Sequence, residues 1–186
     1  MLGAGPDNSG RDLVFLAPIS PGASQRRLAR IPIDGTAPAT AIVDWKDSWG
    51  GSTELENGDL LILEGPAAFV RVPRAGGPPS PPVPIDAGRP GVSRYVLGGR
   101  SLPGDRGVFI DVISYDAHGW HSSVGVMDVK SGKVKVIEED GGQALYSPTG
   151  HLLFARGDIV LAAGFDLGRL EVRGSPVAVW SGLSTS

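Results

Sequence analysis

The sequence contains no cysteine, so disulfides, thiolate metal sites and a cysteine nucleophile are excluded. It also has no run rich in lysine or arginine, and its formal net charge is −3, so it lacks an electrostatic footprint for nucleic acid. No apolar stretch approaches the roughly 18 residues of a membrane helix. The opening letters MLGAGPDNSGRD lack the basic and apolar parts of a signal peptide. These absences predict a soluble chain that binds no nucleic acid and inserts into no membrane.

Glycine and proline, by contrast, are abundant: the 186 residues include 28 glycines and 16 prolines. Such a share raises the question of disorder. However, 41% of the residues are hydrophobic, and they fall in short runs between the turn residues. Short apolar runs bounded by glycine and proline are typical of an ordered all-β chain.

Four turn glycines recur at a nearly constant spacing along the chain. Gly10, Gly58, Gly104 and Gly150 are separated by 48, 46 and 46 residues. Each follows a proline, asparagine or aspartate and precedes a short apolar run, and glycine is the residue that takes a positive φ without strain. A fixed period of about 40 to 50 residues is typical of propeller blades.

Each period contains four candidate strands, which is the number in a propeller blade. One precedes the glycine, one follows it, and two more come after polar turns; only the first unit, with MLGAGP before its corner, is expected to lack the first strand. The predicted fold is an all-β, partial β-propeller of about four four-stranded antiparallel blades. The predicted units are 1–46, 47–90, 91–140 and 141–186 of a single domain.

Several segments resemble one group of propellers. ALYSPTGHLLFARGDIVLAAGFDLGRLEVRGSPVAVWSGL resembles the last part of the propeller that follows the membrane segment in many bacterial serine/threonine protein kinases. FVRVPRAGGPP and DVKSGKVKVI resemble further elements of the same TolB-like and WD-type propellers. The resemblance implies a sensory propeller and an extracytoplasmic location. The kinase motifs are absent, so phosphoryl transfer is not implied.

The resemblance leaves the assembly open, because such propellers usually have six or more blades. We expect, in order of preference, a piece of a larger propeller, a chain that associates with a second copy through exposed blade edges, or a closed ring of four blades. The leading functional hypothesis is a non-enzymatic sensor that binds a protein or small ligand at the propeller mouth. The alternative is part of a propeller hydrolase or lyase, or the gating propeller of a peptidase. Propellers host many functions, so the fold alone does not decide between them.

The stretch YDAHGWHSS, residues 115–123, is the most unusual part of the sequence. It lengthens a turn of the third unit and carries five candidate binding residues: Tyr115, Asp116, His118, Trp120 and His121. Two histidines and a carboxylate suit zinc, but the turn supplies no rigid scaffold and no specified third ligand, so no metal site is predicted. We interpret it as a loop that faces a ligand or partner with Trp120 as an anchor, or else as a packed hairpin without a function.

DWKDSWGG, residues 44–51, places Trp45 and Trp49 four apart between the first two units. The two indoles are candidates for a stacking platform at the ring mouth. The alternative is that they fill the gap between adjacent blades.

Ser147 and His151 flank the fourth corner and raise the question of a catalytic pair. A nucleophilic serine needs a base that a third group orients, and no Gly-x-Ser-x-Gly elbow is present. The other corners carry different residues at these two positions, so we interpret the pair as part of a variable turn and predict no catalytic residue. GAGPDN at 3–8 lacks the third glycine of a dinucleotide fingerprint, so no cofactor is predicted.

Overall fold

A computed structural model of the chain describes residues 4–6, 10–20, 25–45 and 51–183. Within these residues the chain forms sixteen β-strands and one short 3₁₀ turn, Pro103–Asp105. The strands are β1 Ala4–Pro6, β2 Asp12–Pro18, β3 Arg26–Pro32, β4 Thr40–Trp45, β5 Ser52–Glu54, β6 Leu60–Leu63, β7 Ala68–Val72, β8 Val83–Pro84, β9 Val92–Ser101, β10 Val108–Asp116, β11 Gly119–Met127, β12 Val134–Glu138, β13 Gly142–Ser147, β14 His151–Arg156, β15 Ile159–Asp166 and β16 Glu171–Ser181.

The strands form four antiparallel sheets of four, each in chain order. We call them blade 1 (β1–β4), blade 2 (β5–β8), blade 3 (β9–β12) and blade 4 (β13–β16). A single parallel bridge between Glu54 and Arg100 joins the first strands of blades 2 and 3. The all-β prediction with four four-stranded blades is confirmed.

One prediction about blade 1 was wrong. The first unit was expected to lack its first strand, but Ala4–Pro6 forms β1 and pairs with β2. Three residues are enough for this pairing because Pro6 lies opposite Leu13 at the end of the ladder, where a missing backbone N–H is tolerated.

The four predicted turn glycines occupy the same place in the four sheets, between the first and second strands. All four have positive φ, at 68° for Gly10, 83° for Gly58, 73° for Gly104 and 81° for Gly150. Gly58 and Gly150 close their turns alike, since each N–H donates to the carbonyl three residues earlier at 2.9 Å. Left-handed backbone favours glycine, which explains why this residue recurs with the period.

The hydrophobic core lies between the blades. Alternate residues of a strand point to opposite faces, so the second strand of a blade contributes to two junctions. Leu60 and Ile62 pack toward blade 1, whereas Leu61 and Leu63 pack toward blade 3, and all four are buried. The three junctions are built from Leu28, Ile42, Trp45, Leu60, Ile62, Val70 and Val72; from Leu55, Leu61, Leu63, Phe69, Ile85, Tyr95, Leu97, Val108, Ile110, Val112, Met127 and Val134; and from Leu102, Phe109, Val124, Val126, Ala144, Leu152, Phe154 and Phe165.

Antiparallel order also fixes which connections share an end of the molecule. The turns between second and third strands lie at the same end as the passages from one blade to the next, opposite the glycine corners. We call this the connection end. Within the described residues, no helix is long and apolar enough to cross a membrane.

Candidate functional site

The unusual stretch of the third unit forms a β-hairpin at the connection end of blade 3. β10 and β11 pair without interruption from Val108 opposite Met127 to Asp116 opposite Gly119. The Asp116 carboxylate accepts a hydrogen bond from the His118 N–H at 2.7 Å, which fixes the two-residue turn. Gly119 has a φ of 114°, a region that only glycine enters easily.

Two aromatic side chains are exposed at the tip of this hairpin. Tyr115 and Trp120 lie directly opposite each other and are 58% and 63% exposed. Their ring centroids are 5.0 Å apart at an angle of 56°, and the Arg94 guanidinium lies 5.9 Å from the Trp120 centroid. We call Arg94, Tyr115 and Trp120 the aromatic cluster. Large exposed aromatic surface is costly in water, so this cluster is a candidate binding surface.

Asp116 and His121 form the polar edge of the hairpin. His121 Nε2 lies 3.0 Å from Asp116 Oδ1, and both side chains are exposed. The His118 N–H, together with His121, holds the pKa of Asp116 below its usual range, so this carboxylate is charged near neutral pH. In the described parts of the chain, no three histidine, aspartate or glutamate residues lie together as metal ligands would.

The aromatic cluster projects from the face of blade 3 that is turned toward blade 4. Alternation along β10 places Phe109, Asp111 and Tyr115 on this face. Gly141, where the chain enters blade 4, donates its N–H to the Ser122 carbonyl at 2.8 Å. Tyr115 and Trp120 therefore lie beyond the entrance to blade 4, which leaves them uncovered.

Asp111, which sequence reasoning did not single out, lies at the junction of blades 3 and 4. Its carboxylate oxygens accept hydrogen bonds from the Gln143 N–H at 3.0 and 3.1 Å. Burial raises the pKa of Asp111 to about 6, although the Gln143 hydrogen bond acts in the opposite direction. An aspartate within the apolar run VFIDVI was the signal that could have identified it.

A second polar cluster missed by sequence reasoning ties the passage between blades 2 and 3 to blade 3. Arg89 donates to Ser123 Oγ at 2.7 Å and to Glu139 Oε1 at 3.0 Å. Ser123 Oγ donates to Glu139 Oε2 at 2.6 Å, and Ser123 is only 2% exposed. The Ser123 hydrogen bond, followed by Arg89, lowers the pKa of Glu139. The three residues come from distant parts of the sequence, so no local sequence motif predicts this cluster.

Of the two tryptophans in the first linker, the structure describes only Trp45. Trp45 is 8% exposed and packs with Leu28, Ile42 and Val72 between blades 1 and 2, as in the gap-filling interpretation. Trp49 lies outside the described residues. A binding role for this pair stays a prediction.

Ser147 and His151 lie opposite each other across the fourth corner, but their side chains are not bonded directly. Thr149 Oγ1 lies 2.8 Å from Ser147 Oγ and 3.0 Å from His151 Nδ1, so it bridges them. His151 is exposed, and the Gly150 N–H donates to the Ser147 carbonyl. The geometry is that of a closed turn, in agreement with the sequence interpretation.

Comparison with solved structures identifies the architecture. The Dos1 propeller matches 93% of this chain with a TM-score of 0.53 and 7% sequence identity. The four sheets are blades of a β-propeller. Two structures of puromycin hydrolase, one of them a mutant complexed with PGG, match 92% and 96% of the chain with TM-scores of 0.51 and 0.55 and identities of 17% and 16%.

The chain spans only part of these propeller proteins. It covers 28% and 29% of the two puromycin hydrolase chains and 46% of the Dos1 propeller. No protein-family model matches the sequence, and no curated protein matches it either. At these identities the similarity establishes the fold and leaves the activity to be argued from the residues.

Proposed function

We propose that this chain is a non-enzymatic interaction module, of the sensor type that its sequence resembles, and that it binds a protein segment at the connection end of blade 3. The observation that carries the proposal is the aromatic cluster, in which Tyr115 and Trp120 are more than half exposed. Tryptophan, tyrosine and arginine are the residues that dominate binding energy at protein interfaces.

The shape of the cluster favours a protein segment over a sugar. A sugar stacks on an open, flat aromatic face, but the two rings are inclined by 56° and Arg94 lies over Trp120. The inclined rings instead form a notch for an apolar side chain, with a guanidinium on one side to pair with a carboxylate. The segment we expect therefore carries an apolar residue next to an acidic one.

The conformation of the hairpin that carries the cluster is also fixed before a partner binds. The uninterrupted pairing of β10 with β11 and the Asp116–His118 turn fix the hairpin before a partner arrives. A partner therefore does not have to order a loop, which lowers the entropic cost of association.

The test is selection of random twelve-residue peptides on the immobilised chain, followed by affinity measurement by calorimetry. We expect selected peptides to combine an aspartate or glutamate with a large apolar residue, and Trp120→Ala to weaken them at least tenfold. Trp180→Ala is the matched control, because Trp180 is equally exposed, at 65%, but belongs to blade 4. Peptides that bind Trp120→Ala as tightly as the parent, or the absence of any selected peptide, contradict the proposal.

A second candidate function rests on the likeness to puromycin hydrolase. In that case the chain is part of a propeller hydrolase, or a gating propeller whose catalytic part lies in another domain. Such a propeller is expected to bring carboxylates or histidines together at its mouth. At the tip of the hairpin only Asp116 and His121 come together, and the lowered pKa of Asp116 does not suit a general acid at neutral pH. The binding function therefore has the better support.

A further inference from the structure

The tip of the blade 3 hairpin extends past the strand that flanks it. β11 pairs with β12 only as far as Val124, which lies opposite Glu138. The Ser122 carbonyl then accepts one hydrogen bond from the Gly141 N–H at 2.8 Å, at the point where the chain leaves blade 3 for blade 4. Residues 119–122 therefore have no neighbouring strand on their outer side among the described residues. We call this part of β11 the open edge.

Two hydrogen bonds show which way the backbone groups of the open edge point. The Tyr115 N–H donates to the Gly91 carbonyl at 3.3 Å, on the side of β10 away from β11. Tyr115 and Trp120 are thus a non-hydrogen-bonded pair of the antiparallel ladder, so the N–H and C=O of Trp120 point away from β10. The bond from Gly141 shows the same orientation for Ser122, two residues further on. The open edge presents three backbone groups, the Trp120 N–H, the Trp120 C=O and the Ser122 N–H, that no described residue bonds.

The outermost strands of blades 2 and 3 differ from the open edge in composition. β8 consists of Val83–Pro84 and follows Pro81 and Pro82, and β12 carries Lys135. Proline and lysine are the residues with which proteins protect a sheet edge against a further strand. The open edge has the sequence GWHS, without either residue, and a Cβ at Gly119 would meet nothing within 4 Å. It is therefore both accessible and unprotected.

We propose that the partner segment binds by adding a β-strand to the open edge. This inference rests on the proposed function, because the added strand is the segment that the aromatic cluster binds. In strand addition the main-chain hydrogen bonds supply affinity and the alternate side chains supply specificity. An extended segment can bond the N–H and the C=O of Trp120 together. A helical segment cannot, because its own backbone groups are already bonded within the helix.

The position of the aromatic cluster determines which side chain of the segment it contacts. Residues that lie directly opposite each other on neighbouring strands have their Cβ atoms about 5 Å apart. The segment residue opposite Trp120 therefore places its side chain against the indole, on the side away from Tyr115. This residue is the apolar one. Trp120 then lies between Tyr115 and the apolar side chain of the partner.

The first test is an N-methyl scan of the tightest peptide obtained in the selection described above. Each backbone N–H of the peptide is replaced in turn by N-methyl, and binding to the parent chain is measured by calorimetry. The open edge offers one free acceptor, the Trp120 C=O, and neighbouring residues of a strand direct their N–H groups to opposite sides. We expect N-methylation to weaken binding at least tenfold at one residue, and less than threefold at the residue on either side of it.

The second test reads the open edge of the chain itself, by amide hydrogen exchange in NMR spectra. Without peptide, the N–H groups of Trp120 and Ser122 should exchange faster than those of His121 and Ser123, which point toward β10. The peptide should slow the exchange of both Trp120 and Ser122 at least tenfold. Ser122→Pro should bind the peptide at least tenfold more weakly than Ser122→Ala, since both variants lack the hydroxyl and only proline lacks the N–H.

The outcomes separate this inference from the proposed function. A peptide that depends on Trp120 but tolerates N-methylation at every residue overturns strand addition and leaves the proposed function standing. Unchanged exchange of Trp120 and Ser122 in the complex, or equal binding by Ser122→Pro and Ser122→Ala, also overturns strand addition. If Ser122→Pro fails to fold by circular dichroism, the N-methyl scan and the exchange measurement on the parent chain decide. A chain that selects no peptide overturns both proposals.

Discussion

The Asp111 carboxylate of blade 3 accepts two contacts, at 3.0 and 3.1 Å, from the Gln143 N–H of blade 4. Gln143 has a φ of 56°, in the left-handed region that glutamine rarely occupies. The hydrogen bond is thus made by a residue whose backbone conformation is itself unfavourable. It helps to hold the entrance of blade 4 against blade 3, beside the exposed hairpin.

Asp111→Asn should abolish one component of the pH dependence of stability. The folded pKa of Asp111 is about 6, above its ordinary value of 3.8, so the folded state binds a proton that the unfolded chain has already released. The contribution of Asp111 to the free energy of unfolding is fully present below pH 4. It is lost as the pH rises through 6, and the loss is roughly 3 kcal/mol at most. We expect urea unfolding to show the parent losing stability relative to Asp111→Asn between pH 4 and 7.

The asparagine variant is a close control because its side-chain oxygen can still accept the Gln143 hydrogen bond. The other carboxylates are unchanged between the two proteins, so their contributions cancel in the difference. A difference in the free energy of unfolding that stays constant from pH 4 to 7 would mean that Asp111 is not held in a desolvated site.

Gly132→Ala should be far more destabilising than Gly35→Ala. The two glycines have nearly equal φ values of 72° and 70°, so both substitutions force alanine into left-handed backbone. A Cβ at Gly35 meets nothing within 4 Å, but one at Gly132 would lie 1.9 Å from the Pro84 carbonyl oxygen. We expect a loss of about 1 to 2 kcal/mol for Gly35→Ala and more than about 3 kcal/mol for Gly132→Ala.

The comparison isolates the contact between blades 2 and 3 at their outer strands. The Gly132 carbonyl accepts a hydrogen bond from the Asp86 N–H at 3.0 Å, and Asp86 then bridges to Lys133. Thermal unfolding of the two variants measures the difference. Equal losses would show that the close approach of Pro84 to Gly132 does not constrain the junction.

The repeat was readable from the sequence because it depends on local chemistry. A positive φ favours glycine at each corner, and a strand buried on both faces requires an uninterrupted apolar run such as Leu60–Leu63. The corner glycines and the apolar runs therefore recur in the sequence at a fixed period. The first strand of blade 1 was missed because Ala4–Pro6 is too short, and too poor in β-branched residues, to register as a strand.

The exposed hairpin of blade 3 could be predicted from the sequence only in part. Tyr115 and Trp120 stood out as aromatic residues in a long turn, and the structure places them together in the open. Arg94 could not be added to them, because which residue of β9 lies beside Trp120 depends on sheet register and not on sequence distance. Arg89, Ser123 and Glu139 were missed because they come from distant parts of the sequence and meet only in the folded chain.

Arg30→Ala should destabilise the junction of blades 1 and 2 by about 3 kcal/mol. Arg30 lies 3.5 Å from both Asp12 and Glu54, and the Arg30 and Glu54 side chains are only 13% and 8% exposed. Removing the cation leaves a buried carboxylate without this ion pair, which is costlier than removing both charges. The double variant Arg30→Met/Glu54→Gln should therefore be more stable than Arg30→Ala in urea unfolding. A double variant that is less stable than Arg30→Ala would contradict this account.

Ser123→Ala should loosen the passage between blades 2 and 3 through its two charged neighbours. Ser123 Oγ accepts from Arg89 and donates to Glu139, so one hydroxyl serves both charges in a site where it is 2% exposed. The loss of the hydroxyl removes a hydrogen bond to each charged group, and we expect it to lower the free energy of unfolding by about 2 to 3 kcal/mol.

The same hydroxyl is the main cause of the lowered pKa of Glu139. The stabilising effect of the Glu139 carboxylate is present above its ordinary pKa of 4.5 and is lost as the pH falls. The cost of Ser123→Ala, measured by urea unfolding, should thus be larger at pH 7 than at pH 3. A cost that is the same at both values would mean that the hydroxyl is only filling space.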